Sequence, residues 1–112
     1  MTVRIQELRE RYRALMTDDT PPETWLAMAF SDLGAAAETC GLRQLADEPR
    51  SRRLVAEHCR LLIGKAAATT LEALTALERS EGFDGPISET TSQGEAEAIM
   101  ADLRTAMRGG PR

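Results

Sequence analysis

The chain has 112 residues and a formal net charge of −4 at pH 7, from 18 acidic and 14 basic side chains, which is enough for one packed core and too little for two. Its acidic balance removes the general attraction for nucleic acid that a basic face supplies, and a 42% hydrophobic share excludes wholesale disorder. Aromatic residues are only 4% of the chain, Ala is abundant and alternating strand formers are absent, so the composition predicts an all-α fold: a small bundle of about four helices whose thin side chains let them approach closely.

The first segment, Val3 to Met16, places Ile5, Leu8, Tyr12 and Leu15 on one face and Arg and Glu on the other. That is the helical period. Thr17 to Pro22 breaks the chain, and Thr20, Pro21 and Glu23 form a start signal of N-cap, first-turn proline and reciprocal acid. A second helix is predicted from Pro21 to about Cys40, with Leu26, Phe30, Leu33, Ala37 and Cys40 on the inner face and Trp25 and Ala29 beside it. Gly41 then Leu42 reads as its stop.

Ser51 is the expected cap of a long helix from Arg52 to Ser80. Leu54, His58, Leu61, Lys65 and Thr69 follow one of its faces, and Val55, Leu62, Leu71, Leu74 and Leu77 add apolar contacts around it. Such a helix is roughly 40 Å long and outruns a compact domain of this size, whose radius of gyration is about 13 Å. It must bend near Gly64 or be covered at its far end by a second copy, and the second is the reading adopted. Gly82 and Phe83 repeat the stop signal. Phe83 to Gly94 reads as loop, and Ser92 with Glu95 as a capping box before a last helix, Ala96 to Arg108, carrying Ile99, Met100, Leu103 and Met107. Residues 1–108 form one expected domain, followed by a fraying tail, 109–112.

No apolar run reaches the roughly 18 residues that a membrane span needs, and the N-terminus carries no apolar signal segment. The expected compartment is therefore the cytoplasm, with Cys40 and Cys59 as reduced core residues and a disulfide as the alternative. The preference for Arg over Lys hints at a GC-rich bacterial source. His58 is the only histidine, and no paired Cys or His spacing supports zinc. The acid pairs Glu7/Glu10 and Glu78/Glu81, and the clusters Arg50/Arg52/Arg53 and Arg4/Arg9/Arg11/Arg13, read as solvated faces.

One stretch carries more. Glu23-Thr24-Trp25-Leu26-Ala27 leads into Phe30-Ser31-Asp32-Leu33-Gly34-Ala35-Ala36-Ala37, and Leu54-Val55-Ala56-Glu57-His58-Cys59-Arg60 follows on the long helix. This pattern resembles the MazG-like all-α nucleoside triphosphate pyrophosphohydrolases, over roughly Ile5 to Leu77. The resemblance implies two antiparallel helices that each present a carboxylate pair one turn apart. Together they cage Mg²⁺, which clamps a triphosphate and activates water. Asp32 and Glu57 match the first acid of each pair, but Ala35 and Arg60 stand at the partner positions. Half of the ligand set is missing, and a cation fills one vacancy.

The expectation is thus a MazG-like helical domain, dimeric, that has lost hydrolysis and keeps a binding role for a nucleotide or phosphate ligand or for a partner protein. Asp32, Glu57 and Arg60 line the remnant site, Arg60 as a phosphate contact, and Trp25 flanks a base or fills the core. An active enzyme would use Asp32, Glu57 and Glu38 with Mg²⁺. A protein–protein adaptor, unrelated to nucleotides, would instead use Leu71, Leu74 and Leu77 as its contact stripe.

Overall fold

The computed structural model describes residues 4–83, 85–87 and 92–109. It is all-α: α1 (Ile5–Leu15), α2 (Pro22–Leu42), α3 (Pro49–Glu81) and α4 (Gln93–Met107), with a 3₁₀ turn at Arg43–Leu45 between α2 and α3. No strand occurs among the described residues, and none of their helices is long and apolar enough to cross a membrane. Val3, Asp84, residues 88–91 and most of the expected tail lie outside the described residues.

The start and stop signals were read unevenly. Gly82 ends α3 as expected, at φ 72°, with the Phe83 amide donating back to the Glu78 carbonyl at 3.0 Å. Gly41 does not stop α2, which runs on through Leu42 into the 3₁₀ turn. Thr20 is not the cap of α2: Pro21 holds that position, and the Thr20 hydroxyl donates to the Thr17 carbonyl at 2.8 Å inside the preceding turn. Ser51 lies inside α3, whose cap position is Glu48 and whose first residue is Pro49. Proline suits the first helical position because its missing N–H is unneeded there. Ser92 does occupy the cap position of α4, with no side-chain bond to the helix.

A short connection makes α2 and α3 an antiparallel pair, and their seam is the core. From α2 it takes Trp25, Ala29 and Ala36; from α3 it takes Cys59, Leu62, Ala66, Thr69 and Ala73. Small residues dominate on both sides, which lets the backbones come close. Thr69 is fully buried, and its hydroxyl is satisfied within its own helix by the Lys65 and Ala66 carbonyls at 3.1 and 3.2 Å. The inner face of α2 therefore differs from the expected one. Leu26, Phe30 and Leu33 are 50%, 80% and 51% exposed. Helix α2 is apolar over more than half of its circumference, so its own pattern offers two adjacent inner faces, and the one rich in Ala meets the Ala-rich face of α3. On α3, Leu54 and Leu61 likewise turn outward, and His58 is exposed.

Cys40 and Cys59 are joined as a disulfide, with Cα atoms 6.1 Å apart, so the expectation of reduced core thiols is corrected. Antiparallel pairing brings the last turns of α2 level with the early turns of α3. That puts the two residues within bridging distance, a proximity invisible at a sequence separation of 19.

Helix α1 lies along α3, where Leu8 is its one buried residue and would meet a Cβ added at Gly64 at 3.7 Å. Helix α3 is continuous through Gly64 and, with 33 residues, is about 50 Å long. Helix α4 packs against none of the other described elements and buries no residue. The molecule measures 58 × 33 × 28 Å, with a radius of gyration of 18.5 Å, well beyond the roughly 13 Å of a compact domain of this length.

Candidate binding site

The four residues singled out from the sequence fall into two separate pairs, Asp32 and Trp25 near Tyr12, and Glu57 with Arg60. Cys40 pairs with Cys59, and Ala36 packs against Cys59 and Leu62, so Asp32 stands level with the region of Ala66 and Ala67. Glu57 lies about ten residues nearer the connecting turn, roughly 14 Å away along the helix axes. Among the described residues Glu57 and Arg60 form an ion pair with each other alone, at 3.9 Å, with side chains 61% and 72% exposed. No cluster of three or more His, Cys, Asp or Glu side chains able to hold a metal forms among the described residues. A Mg²⁺ cage needs several oxygens converging within about 2.1 Å of one point. One copy of this chain does not offer that arrangement at Asp32 and Glu57.

Asp32 has a different neighbour. It is half-buried, and its charge acts on Tyr12, whose hydroxyl is pushed above its ordinary value of 10.0 by burial first and by Asp32 second. Ionising Tyr12 would set a second negative charge beside a carboxylate in partly desolvated surroundings. The Tyr12 ring stands edge-on to Trp25, with centroids 6.1 Å apart and planes at 83°, a favourable arrangement of the ring quadrupoles. Trp25 is only 4% exposed. It fills the core where α1, α2 and α3 meet.

That corner also holds a polar cluster around Arg9 and Arg13, where the sequence predicts a solvated face. Glu72 is 5% exposed and accepts from the Arg9 Nε at 2.6 Å and the Arg13 Nε at 3.1 Å. Arg9 also donates to the Thr75 hydroxyl at 3.3 Å. Burial pushes the Glu72 carboxyl upward, but the hydrogen bonds and charges of Arg13 and Arg9 outweigh it and hold the group below its ordinary value of 4.5. The signal in the sequence was an acid between Leu71 and Ala73, on the α1-facing side of α3. A buried carboxylate of that kind demands a cation. Beside the cluster opens a cavity of about 280 Å³ lined by Trp25, Arg13, Arg79, Thr17, Asp18 and Glu72.

A third feature is apolar. On α2 the residues facing α3 are Trp25, Ala29 and Ala36, and one residue further round, about 100°, run Leu26, Phe30, Leu33 and Ala37. On α3 the residues facing α2 are Cys59, Leu62, Ala66, Thr69 and Ala73, and one residue further round run Ile63, Ala67, Thr70, Leu74 and Leu77. In an antiparallel pair, equal rotation from the shared seam points both stripes to the same side. Helix α1 occupies the opposite side. The result is one uncharged face, two helices wide, on which Phe30, Leu33, Ile63 and Leu77 are 80%, 51%, 50% and 43% exposed. Its four- and three-residue spacings, 26-30-33-37 and 63-67-70-74-77, are those of helices that pack into bundles.

No family model matches this chain, and no curated protein and no solved structure is significantly similar to it.

Proposed function

We propose that the chain is a helical binding module that acts by association through the open α2–α3 face, and that the partner this face fits first is a second copy of itself. The observation that carries the reading is the stripe Leu26, Phe30 and Leu33 lying outward beside Ile63 and Leu77. These side chains together leave on the order of 500 Å² of apolar surface in water, toward the upper end for the largest patch on a monomer and approaching the roughly 800 Å² per partner of a standard interface. Neither stripe contains a charge, so two-fold pairing of identical faces sets no like charges against each other. Two such hairpins face to face make a four-helix bundle, which also covers the α3 surface that one chain leaves bare.

A loss of hydrolysis within a MazG-like arrangement is compatible with this reading but is not required by it. Asp32 and Glu57 stand apart, so pyrophosphate release from nucleoside triphosphates with Mg²⁺ is expected to be absent. Release that vanished in both Asp32→Ala and Glu57→Ala would instead restore the enzyme, with Arg60 as its phosphate contact. The proposed compartment is the cytoplasm, where the Cys40–Cys59 bond meets a reducing thiol pool.

Sedimentation of the full chain tests the association. The native protein should run as a dimer at micromolar concentration, and Phe30→Glu as a helical monomer. Phe30 is 80% exposed in the single chain, so a charge there leaves the three-helix core intact. A native protein that stays monomeric at the highest attainable concentration refutes self-association through this face.

A further inference from the structure

The two cysteines offer a chemistry that the docking face does not use. Cys40 is exposed, whereas Cys59 is buried at 5%, so the two residues of the disulfide differ in their access to solvent. A groove of about 270 Å³ opens over the pair, lined by both cysteines, Arg43, Arg60, Val55 and Ile63. Its two arginines are weakly engaged. Among the described residues Arg43 makes no ion pair and Arg60 pairs with Glu57 alone, at 3.9 Å and largely in water. Past Arg43 the surface continues into a more open depression lined by Arg52 and Arg53. A bond between an exposed and a buried cysteine, with two arginines along the same groove, suits an attacking thiolate that carries further negative charge.

We propose that Cys40–Cys59 is a reducible site for anionic low-molecular-weight thiols, whose carboxylates seat on Arg43 and Arg60 while their sulfur attacks Cys40. The thiolate forms a bond to the Cys40 Sγ, and the bond to the Cys59 Sγ breaks. Cys59 leaves as a thiolate, takes a proton from solvent and gains an S–H directed at the Ala36 carbonyl oxygen, which already lies 3.4 Å from its sulfur. A second thiolate attacks the small-molecule sulfur of the mixed disulfide and expels Cys40. In sum two thiols are oxidised to one disulfide, and the protein bond takes up two electrons and two protons. The positive charge of Arg43 and Arg60 along the groove raises the local concentration of the anion. The site does not rest on the pairing of two copies, although its groove shares Ile63 with the open stripe at the connecting-turn end of the hairpin.

The test follows reduction of the full chain by glutathione, 2-mercaptoethanol and cysteamine at matched thiolate concentration, with acid quench, alkylation and intact-mass readout. Glutathione should react about tenfold faster than cysteamine at low ionic strength, and the gap should close in high salt. The double variant Arg43→Gln with Arg60→Gln should lose the preference while keeping native helix content. With oxidised glutathione, Cys59→Ser should form an adduct on Cys40, and Cys40→Ser should form none on the buried Cys59. Equal rates for the three thiols at low salt, or an adduct on Cys59, overturn the proposal. So does native protein that carries two free thiols without any reductant. The kinetic comparison uses only the native chain, so a variant that fails to fold does not blunt it.

Discussion

Glu72 shows how one buried charge ties α1 to the rest of the molecule. Its carboxylate holds Arg9 and Arg13 across a gap that few apolar contacts span, since Leu8 is the only buried residue of α1. Glu72→Gln leaves two guanidinium groups facing a neutral amide and should cost about 2 kcal/mol, less than the 3–5 of a fully buried pair because Arg13 is half-exposed. Urea denaturation at pH 7 measures it. Because the folded carboxyl titrates below 4.5, the contribution is fully present above that value and is lost as pH falls through the folded value. The gap between native and variant should therefore close in acid. Tyr12 gives a second readout at this scale, as the only tyrosine in the chain. Burial and Asp32 raise its hydroxyl, so its phenolate absorbance should appear above pH 10, and Asp32→Asn should move the transition down. The stabilising share of the neutral hydroxyl holds below pH 10 and is lost as pH rises through the raised value. An unchanged transition would separate Asp32 from Tyr12.

Helix α3 is the element on which the others are hung, and Gly64 sits at its middle. An added Cβ there meets Leu8 at 3.7 Å, an ordinary contact, while glycine in a helix interior is worse than alanine by about 1 kcal/mol. Gly64→Ala should raise the thermal midpoint by a few degrees. A fall would mean that the α1–α3 contact is tighter than this spacing. Helix α4 is the converse case. Its 15 residues are near the length at which an isolated helix is marginal in water, and it packs on no described element. Deleting residues 84–112 should leave the thermal midpoint of the remaining chain within about 1 °C. A large drop would place α4 on the open face, in its own chain or in the second copy.

At the scale of the whole molecule, the elongated shape and the open face are one fact. A 50 Å helix covered on two sides by shorter helices leaves the third side bare, and water penalises that side by about 25 cal/mol per Å². Association should therefore weaken on cooling, as apolar driving forces do, and a dimer dissociation constant that rises toward 4 °C is the expected signature. An opposite trend would point to an interface held by charge.

Much of the local structure was legible in the chain: the four helices and the absence of strands among the described residues, the stop at Gly82 and the break before Pro22 all follow from periods, prolines and glycines within a few residues of one another. What the sequence left open was which side of each helix faces which. Helix α2 carries two adjacent apolar stripes, and only the Ala-rich surface of α3 decided that Trp25, Ala29 and Ala36 turn inward while Phe30 turns out. The same holds for Glu72 with Arg9, for the Cys40–Cys59 bond and for the separation of Asp32 from Glu57. Each is a relation between residues distant in the chain, set by the register of an antiparallel pair. Local pattern determines an element; only packing, which compares whole surfaces, determines its neighbours.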